Sequence, residues 1–237
     1  MDFQAGEIMY IDKPLGWTSF DVVNKIRLMF KNIMGIKKIK VGHAGTLDPL
    51  ATGLVIVCTG KATKKLESMM NHDKEYEATI RLGQTTPSFD LETEVDATYP
   101  TEHISKQLIE DVIRRQFTGD IEQVPPVYSA IRIDGKRAYE FARKGHTDVE
   151  LKSRQINISE FVVESYEAPD LRVRIHCSKG TYIRSIARDL GVALGSGGHL
   201  TALRRTVVGD VDVRDALTME QVEALLKQMP KVGQENG

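Results

Sequence analysis

From Glu75 to Leu82 the chain alternates strictly, with Tyr76, Ala78, Ile80 and Leu82 against Glu75, Glu77, Thr79 and Arg81. Successive strand side chains point to opposite faces, so this pattern predicts a strand with one face buried. Leu171, Val173, Ile175 and Cys177 predict a second such strand, and the apolar run GLVIVCTG predicts a strand buried on both faces. Helical signals lie between them. Thr18 and Asp21 have capping-box spacing, followed by a stripe of Phe20, Val23, Ile26, Arg27 and Phe30. ISKQLIEDVIRRQFTG predicts a helix stopped by Gly119, and Ile183, Ile186, Ala187 and Leu190 share one face of another after a Gly-Thr turn. A last helix has a Thr218–Gln221 capping box and stops at Pro230. Runs of strands with irregularly placed helices predict an α+β fold with a mixed, mostly antiparallel sheet.

One domain over residues 1–230 is expected, with an excursion from Gln123 to Leu151 and a disordered tail at 231–237. The excursion has a Pro-Pro break, a turn at Asp134–Gly135 and five basic residues from Arg132 to Lys144.

Composition narrows the function classes. With 237 residues, 41% hydrophobic and 27% charged, the chain is long enough for a full hydrophobic core. No apolar run approaches the roughly 20 residues of a membrane span. The acidic N-terminus lacks a signal pattern, so a cytoplasmic protein is expected. Cys58 and Cys177 lie in strand-like segments and read as buried thiols in a reducing compartment. The six histidines show no metal-ligand spacing, and no metal is expected.

A net charge of −1 argues against a nucleic-acid partner, but the distribution reverses that. Six basic residues and no acid lie from Lys25 to Lys40, and five and none from Arg172 to Arg188. Asp90 to Asp111 holds seven acids and one lysine. Such segregation suits one cationic face for a polyanion.

The stretch VGHAGTLDPLATGLVIVCTG sets Asp48 between a glycine-rich turn and a proline. A phosphate-binding P-loop fails twice, since Ala62 follows Gly60-Lys61 and Val55 stands where the first glycine belongs. Turn chemistry alone would account for Asp-Pro. The neighbours add a third reading. Gly42, Gly45 and Gly53 allow close approach to a ligand, while Leu47, Leu50 and Leu54 predict apolar anchoring. A partly desolvated carboxylate needs a cation, for which Arg184 is the candidate, and an aspartate so held can act as a nucleophile.

GHAGTLDPLATGLV closely resembles the signature of the tRNA pseudouridine-55 synthases, the TruB family. DKPLGWTSFDVV, KEYEATIRLG, VPPVYSAIRIDGKRAYEFARKG, GTYIRSIARDLG and LRRT resemble further family segments in the same order, from Ile8 to Leu226. The resemblance implies a pseudouridine synthase fold with a thumb-like insertion at 123–151. It implies isomerisation of uridine 55 in the tRNA T-arm, without cofactor or metal. Asp48 falls on the family's catalytic aspartate, Arg184 on the arginine that pairs with it, and Tyr76 on the tyrosine that stacks on the target base. His43 matches the histidine that fills the space left by the flipped base, and Tyr182 and Leu203 match residues of the uracil pocket. Lys13 and Pro14 match a motif supporting the active-site loop, and Tyr128 and Tyr139 lie in the thumb. From pattern alone Tyr76 and Leu203 would be core residues.

Many family members carry a C-terminal RNA-binding domain of the PUA type. None is expected here, so RNA binding should rest on the catalytic domain and be salt-sensitive. A monomer is the default. A tRNA-folding chaperone, a catalytically inactive RNA-binding relative and a hydrolase using Asp48 are the competing functions. The segment TPSFDLETE departs from the family pattern and leaves the role of Asp90 open.

Overall fold

The computed structural model describes residues 2–129 and 151–230, with the backbone of 132–133 and 136–137 between them. The strands are β1 (Ile8–Lys13), β2 (Val41–Ala44), β3 (Ala51–Thr59), β4 (Lys74–Leu82), β5 (Gln84–Thr85), β6 (Ala97–Thr98) and β7 (Gly119–Gln123). They continue as β8 (Arg132–Ile133), β9 (Lys136–Arg137), β10 (Arg154–Glu167), β11 (Asp170–Cys177), β12 (Gly198–Val208) and β13 (Val211–Asp212). The helices are α1 (Ser19–Ile33), α2 (Leu66–Met69), α3 (Lys106–Gln116), α4 (Ile183–Ala193) and α5 (Met219–Gln228). The fold is α+β with a mixed, mostly antiparallel central sheet, as the runs of alternation predicted. Among the described residues no helix is long and apolar enough to cross a membrane.

The chain forms two compact units, Met1–Glu75 with Arg204–Gly237, and Tyr76–Leu203. In the first, β1 runs antiparallel to β3 from Ile8↔Cys58 to Lys13↔Gly53, and β2 pairs with β3 from Val41↔Thr59 to Ala44↔Ile56. The end of β12 also lies against β3. Gly53 permits that approach, because its φ is 104° and a Cβ there would sit 2.2 Å from the Arg205 carbonyl oxygen. The Thr18–Asp21 and Thr218–Gln221 capping boxes both form. The buried face of α1 is Ser19, Val22, Val23, Ile26, Met29 and Phe30. Phe20, expected in that stripe, is 56% exposed. At 3.6 residues per turn Phe20 and Arg27 stand about 100–120° from Ile26, outside the buried arc, and the Arg27 guanidinium lies 5.8 Å from the Phe20 ring centroid. Cys58 and Cys177 are both buried and not in a disulfide.

In the second unit the strand order is β4-β11-β10-β7. Tyr76, Ala78, Ile80 and Leu82, and Leu171, Val173, Ile175 and Cys177, are buried as the alternation predicted. α3 ends at Gln116, and Gly119, with φ 84°, opens β7. The 14-residue β10 was not anticipated. Its register shifts between Ile158 and Glu160 and again between Val163 and Ser165, and each bulge breaks the period-two pattern. Of the expected excursion, Gln123 to Ser129 is described, and β8 pairs with β9 from Arg132↔Arg137 to Ile133↔Lys136. Its remainder up to residue 150, including Asp134, Gly135 and Tyr139, and the tail 231–237 lie outside the described residues.

Candidate functional site

Asp48 stands on the loop between β2 and β3, half-buried. Its carbonyl accepts from Ala51 N at 3.0 Å, closing a turn with Pro49 at the second position, where its fixed φ is favoured. The preceding residue is locked from α1: Ser19 Oγ, 1% exposed, accepts from Leu47 N at 2.9 Å. Gly16 N donates to Pro49 O at 2.8 Å, which ties the 14–17 segment to the same turn. Leu47 and Leu54 are buried as expected, but Leu50 is 38% exposed and does not anchor the loop. Leu47 precedes the Asp48–Ala51 turn and is held in the interior, while Leu50 sits at its outer corner and faces solvent.

Beneath the loop lies Lys13, at the end of β1 and fully buried. Its ammonium donates to Pro14 O at 3.0 Å and Trp17 O at 2.6 Å. Burial is the main force on its acidity and lowers the pKa to about 8; the Asp48 carboxylate opposes that shift and the Arg205 charge reinforces it. Pro14 is exposed beside it. His43, on β2, is also depressed, first by burial and then by Arg205, so the ring is neutral at pH 7. Its Nδ1 is buried without a hydrogen-bond partner among the described residues.

The second unit holds the other candidates. Tyr76, on β4, is 8% exposed. Arg184 lies in the first turn of α4. It is 4% exposed, and its Nη1 donates to Ser88 O at 3.2 Å and its Nη2 to Tyr128 O at 2.8 Å. Its Nε lies 3.6 Å from Asp90 Oδ2, forming a buried ion pair. The 86–93 loop is built to hold that carboxylate: Asp90 Oδ1 accepts from Glu92 N at 2.9 Å, and Thr86 Oγ1 donates to Asp90 O at 2.7 Å. Between them Phe89 adopts φ 62°, a left-handed conformation costly for an aromatic residue. Tyr182 is gripped at both backbone polar groups by the buried Gln123 side chain, N to Oε1 at 2.8 Å and O from Nε2 at 3.1 Å. Arg154 covers its ring at 5.4 Å. Leu203, on β12, is half-buried rather than a core residue. Among the described residues no cluster of three His, Cys, Asp or Glu side chains is arranged to hold a metal ion.

The sequence profile of the TruB family pseudouridylate synthase N-terminal domain matches residues 31–183. This chain belongs to the TruB family. A profile of the tRNA pseudouridylate synthase B C-terminal domain matches residues 184–234. The tRNA pseudouridine synthase B of Phocaeicola vulgatus is 59% identical over 228 residues, 96% of either chain. That of Flavobacterium johnsoniae is 51% identical over 227 residues, 95% of this chain and 98% of its own. Of the solved structures, an H/ACA ribonucleoprotein bound to a substrate RNA containing 2′-deoxyuridine superposes with a TM-score of 0.66 and 27% identity, over 94% of this chain and 53% of that one. A Cbf5–Nop10–Gar1 complex gives 0.69 and 28%, covering 94% of this chain and 54% of its own. The TruB-family chain thus spans about half the length of these two structural relatives.

Three residues around the candidates carry weight that sequence reading did not assign. Asp90 is the counter-charge of Arg184 within the second unit. Gln123 orients Tyr182 from 59 residues away. Arg205, 1% exposed, clamps the Asp48 loop: Nη2 donates to Gly45 O at 3.0 Å and Nε to Leu54 O at 2.7 Å. The LRRT segment held Arg205, but two adjacent arginines in a strand of mixed polarity do not tell which one is buried; once buried, the charge must find oxygen partners. In this TruB-family chain Lys13 and Arg205 together place a positive field under the turn that carries Asp48.

Proposed function

We propose that this chain is a tRNA pseudouridine synthase that converts uridine 55 of the T-arm to pseudouridine. Membership of the TruB family and similarity along almost the whole chain to proteins named tRNA pseudouridine synthase B support the reaction and its substrate. The observation that carries the residue assignment is the environment of Asp48, a carboxylate fixed by a proline turn above the buried ammonium of Lys13. In the reaction the N1–C1′ bond breaks, a C5–C1′ bond forms, the hydrogen on C5 leaves as a proton and N1 takes one up, with no net redox change.

Asp48 is the nucleophile in this reading, and the family pattern supplies Arg184 as its counter-charge. Tyr76 offers the uracil a π-face and is the candidate for proton transfer, while Tyr182 and Leu203 wall the base. His43 takes the place of the flipped base in the RNA; a neutral ring suits insertion among stacked bases. Extruding the base costs a few kcal/mol, offset by contacts in the receiving site. Lys13 and Pro14 support the loop. The chain acts as a monomer in the cytoplasm, where two buried thiols persist reduced.

The test is tritium release from a T-arm hairpin labelled at uracil C5, comparing wild type with Asp48→Asn. Pseudouridine formation must expel that hydrogen. Release by wild type and none by the variant is the expected result. Release by both would place the nucleophile elsewhere, and tight binding without release by either would favour a tRNA-folding chaperone or an inactive relative.

A further inference from the structure

β7 and β10 pair antiparallel, and the end of that ladder sets Gln123 opposite Arg154. Directly opposed residues of an antiparallel pair point to the same face. From there both side chains reach one residue, Tyr182, the N-cap of α4. Gln123 is 1% exposed, and its amide meets Tyr182 much as a neighbouring strand would. Its Oε1 accepts from Tyr182 N at 2.8 Å, and its Nε2 donates to Tyr182 O at 3.1 Å. A primary amide can do this because it carries an acceptor and a donor side by side. The Arg154 guanidinium lies 5.4 Å from the Tyr182 ring centroid, within cation–π range. It passes over Gly180, whose φ of 81° turns the chain and where a Cβ would lie 3.6 Å from Arg154 Nη1.

The helix does not fix Tyr182 by itself. The residue has extended backbone angles, φ −103° and ψ 109°, and its side chain makes no capping bond. Ile186 N donates to its carbonyl at 3.1 Å, which leaves its N–H and its ring to be held from outside α4. Gln123 supplies the first hold and Arg154 the second.

We infer that Gln123 and Arg154 are positioning residues for the isomerisation, a two-point mount that sets the angle at which the Tyr182 ring receives the target uracil. The inference rests on the reading of Tyr182 as a wall of the uracil pocket. Neither residue needs to touch the substrate; both act through Tyr182. With the guanidinium on one face of the ring, a base packs against the other face or the edge. A misplacement of about 1 Å can cost about 100-fold in rate, while the contacts that bind the rest of the RNA are untouched.

The experiment measures single-turnover tritium release and hairpin Kd for the full chain, Gln123→Met, Arg154→Met, Tyr182→Ala and Gln123→Met/Tyr182→Ala, with thermal melting as the folding control. Gln123→Met should lower the rate about 10- to 100-fold, and Arg154→Met about threefold to tenfold, both with Kd unchanged. In the Tyr182→Ala background Gln123→Met should cost nothing further, because no ring remains to be positioned. A full loss retained in that background would overturn the proposal, since Gln123 would then act through α4. An unchanged rate in folded Gln123→Met would overturn it too. Weaker hairpin binding by Arg154→Met at an unchanged rate would make Arg154 a phosphate contact and remove it from the mount. Should Gln123→Met fail to fold, Arg154→Met with and without Tyr182→Ala gives the same comparison from a half-buried position. No release by wild type would sink the enzymatic reading itself, whereas release by wild type with unaffected variants would sink this inference alone.

Discussion

Replacing Lys13 by methionine removes a charge from a fully buried position while keeping an unbranched stem. The folded-state pKa of about 8 lies below the ordinary 10.5 because burial disfavours the ammonium. At about 1.4 kcal/mol per pKa unit, keeping the charged form buried below pH 8 costs at most about 3 kcal/mol. Lys13→Met removes that cost but leaves the carbonyls of Pro14 and Trp17 without their donor, at about 1–3 kcal/mol each. The two effects nearly cancel at pH 7, so Lys13→Met should change stability there by no more than about 1–2 kcal/mol.

The pH dependence separates them. Between the folded pKa of about 8 and the ordinary 10.5, the unfolded chain binds more protons at Lys13 than the folded chain does. Wild-type stability therefore rises with pH across that window, relative to the variant, by about 2–3 kcal/mol. Urea unfolding of both proteins from pH 7 to 10.5 measures the difference, and the other titrating groups cancel between them. A difference that stays constant with pH would refute the claim that Lys13 is held charged at a desolvation cost. Asp48→Asn adds a second reading, because Asp48 raises the Lys13 pKa: in that variant the rise should begin at lower pH.

Two further outcomes test the neighbouring contacts. Arg205→Met should raise the His43 pKa, since the Arg205 charge is one cause of its depression, and should lower kcat by loosening the Gly45 clamp; a His43 imidazole titration by NMR identical to wild type would contradict this. Asp90→Asn removes the carboxylate that faces Arg184 Nε at 3.6 Å in a buried pair, at a cost of about 3–5 kcal/mol, and a urea midpoint within error of wild type would mean that Asp90 does not hold Arg184.

Local signals in this chain were legible because their physics is local. The two capping boxes each close within four residues, and the alternations at Tyr76–Leu82 and Leu171–Cys177 need only one buried face. The motif around Asp48 identified the family and marked the turn, and Asp48-Pro49 forms one. Periodicity failed where the backbone departs from its period. The two bulges of β10 change which face each residue occupies, and β12 carries Arg204 and Arg205 side by side through one strand. Tertiary structure alone decided which carbonyls those charges meet. Arg204 pairs with Asp12 from 192 residues away, Arg205 holds Gly45 from 160, and Arg184 reaches Ser88 from 96. Residue type makes a buried cation require oxygen partners, and only the folded chain, by bringing distant strands into register, chooses which oxygens they are.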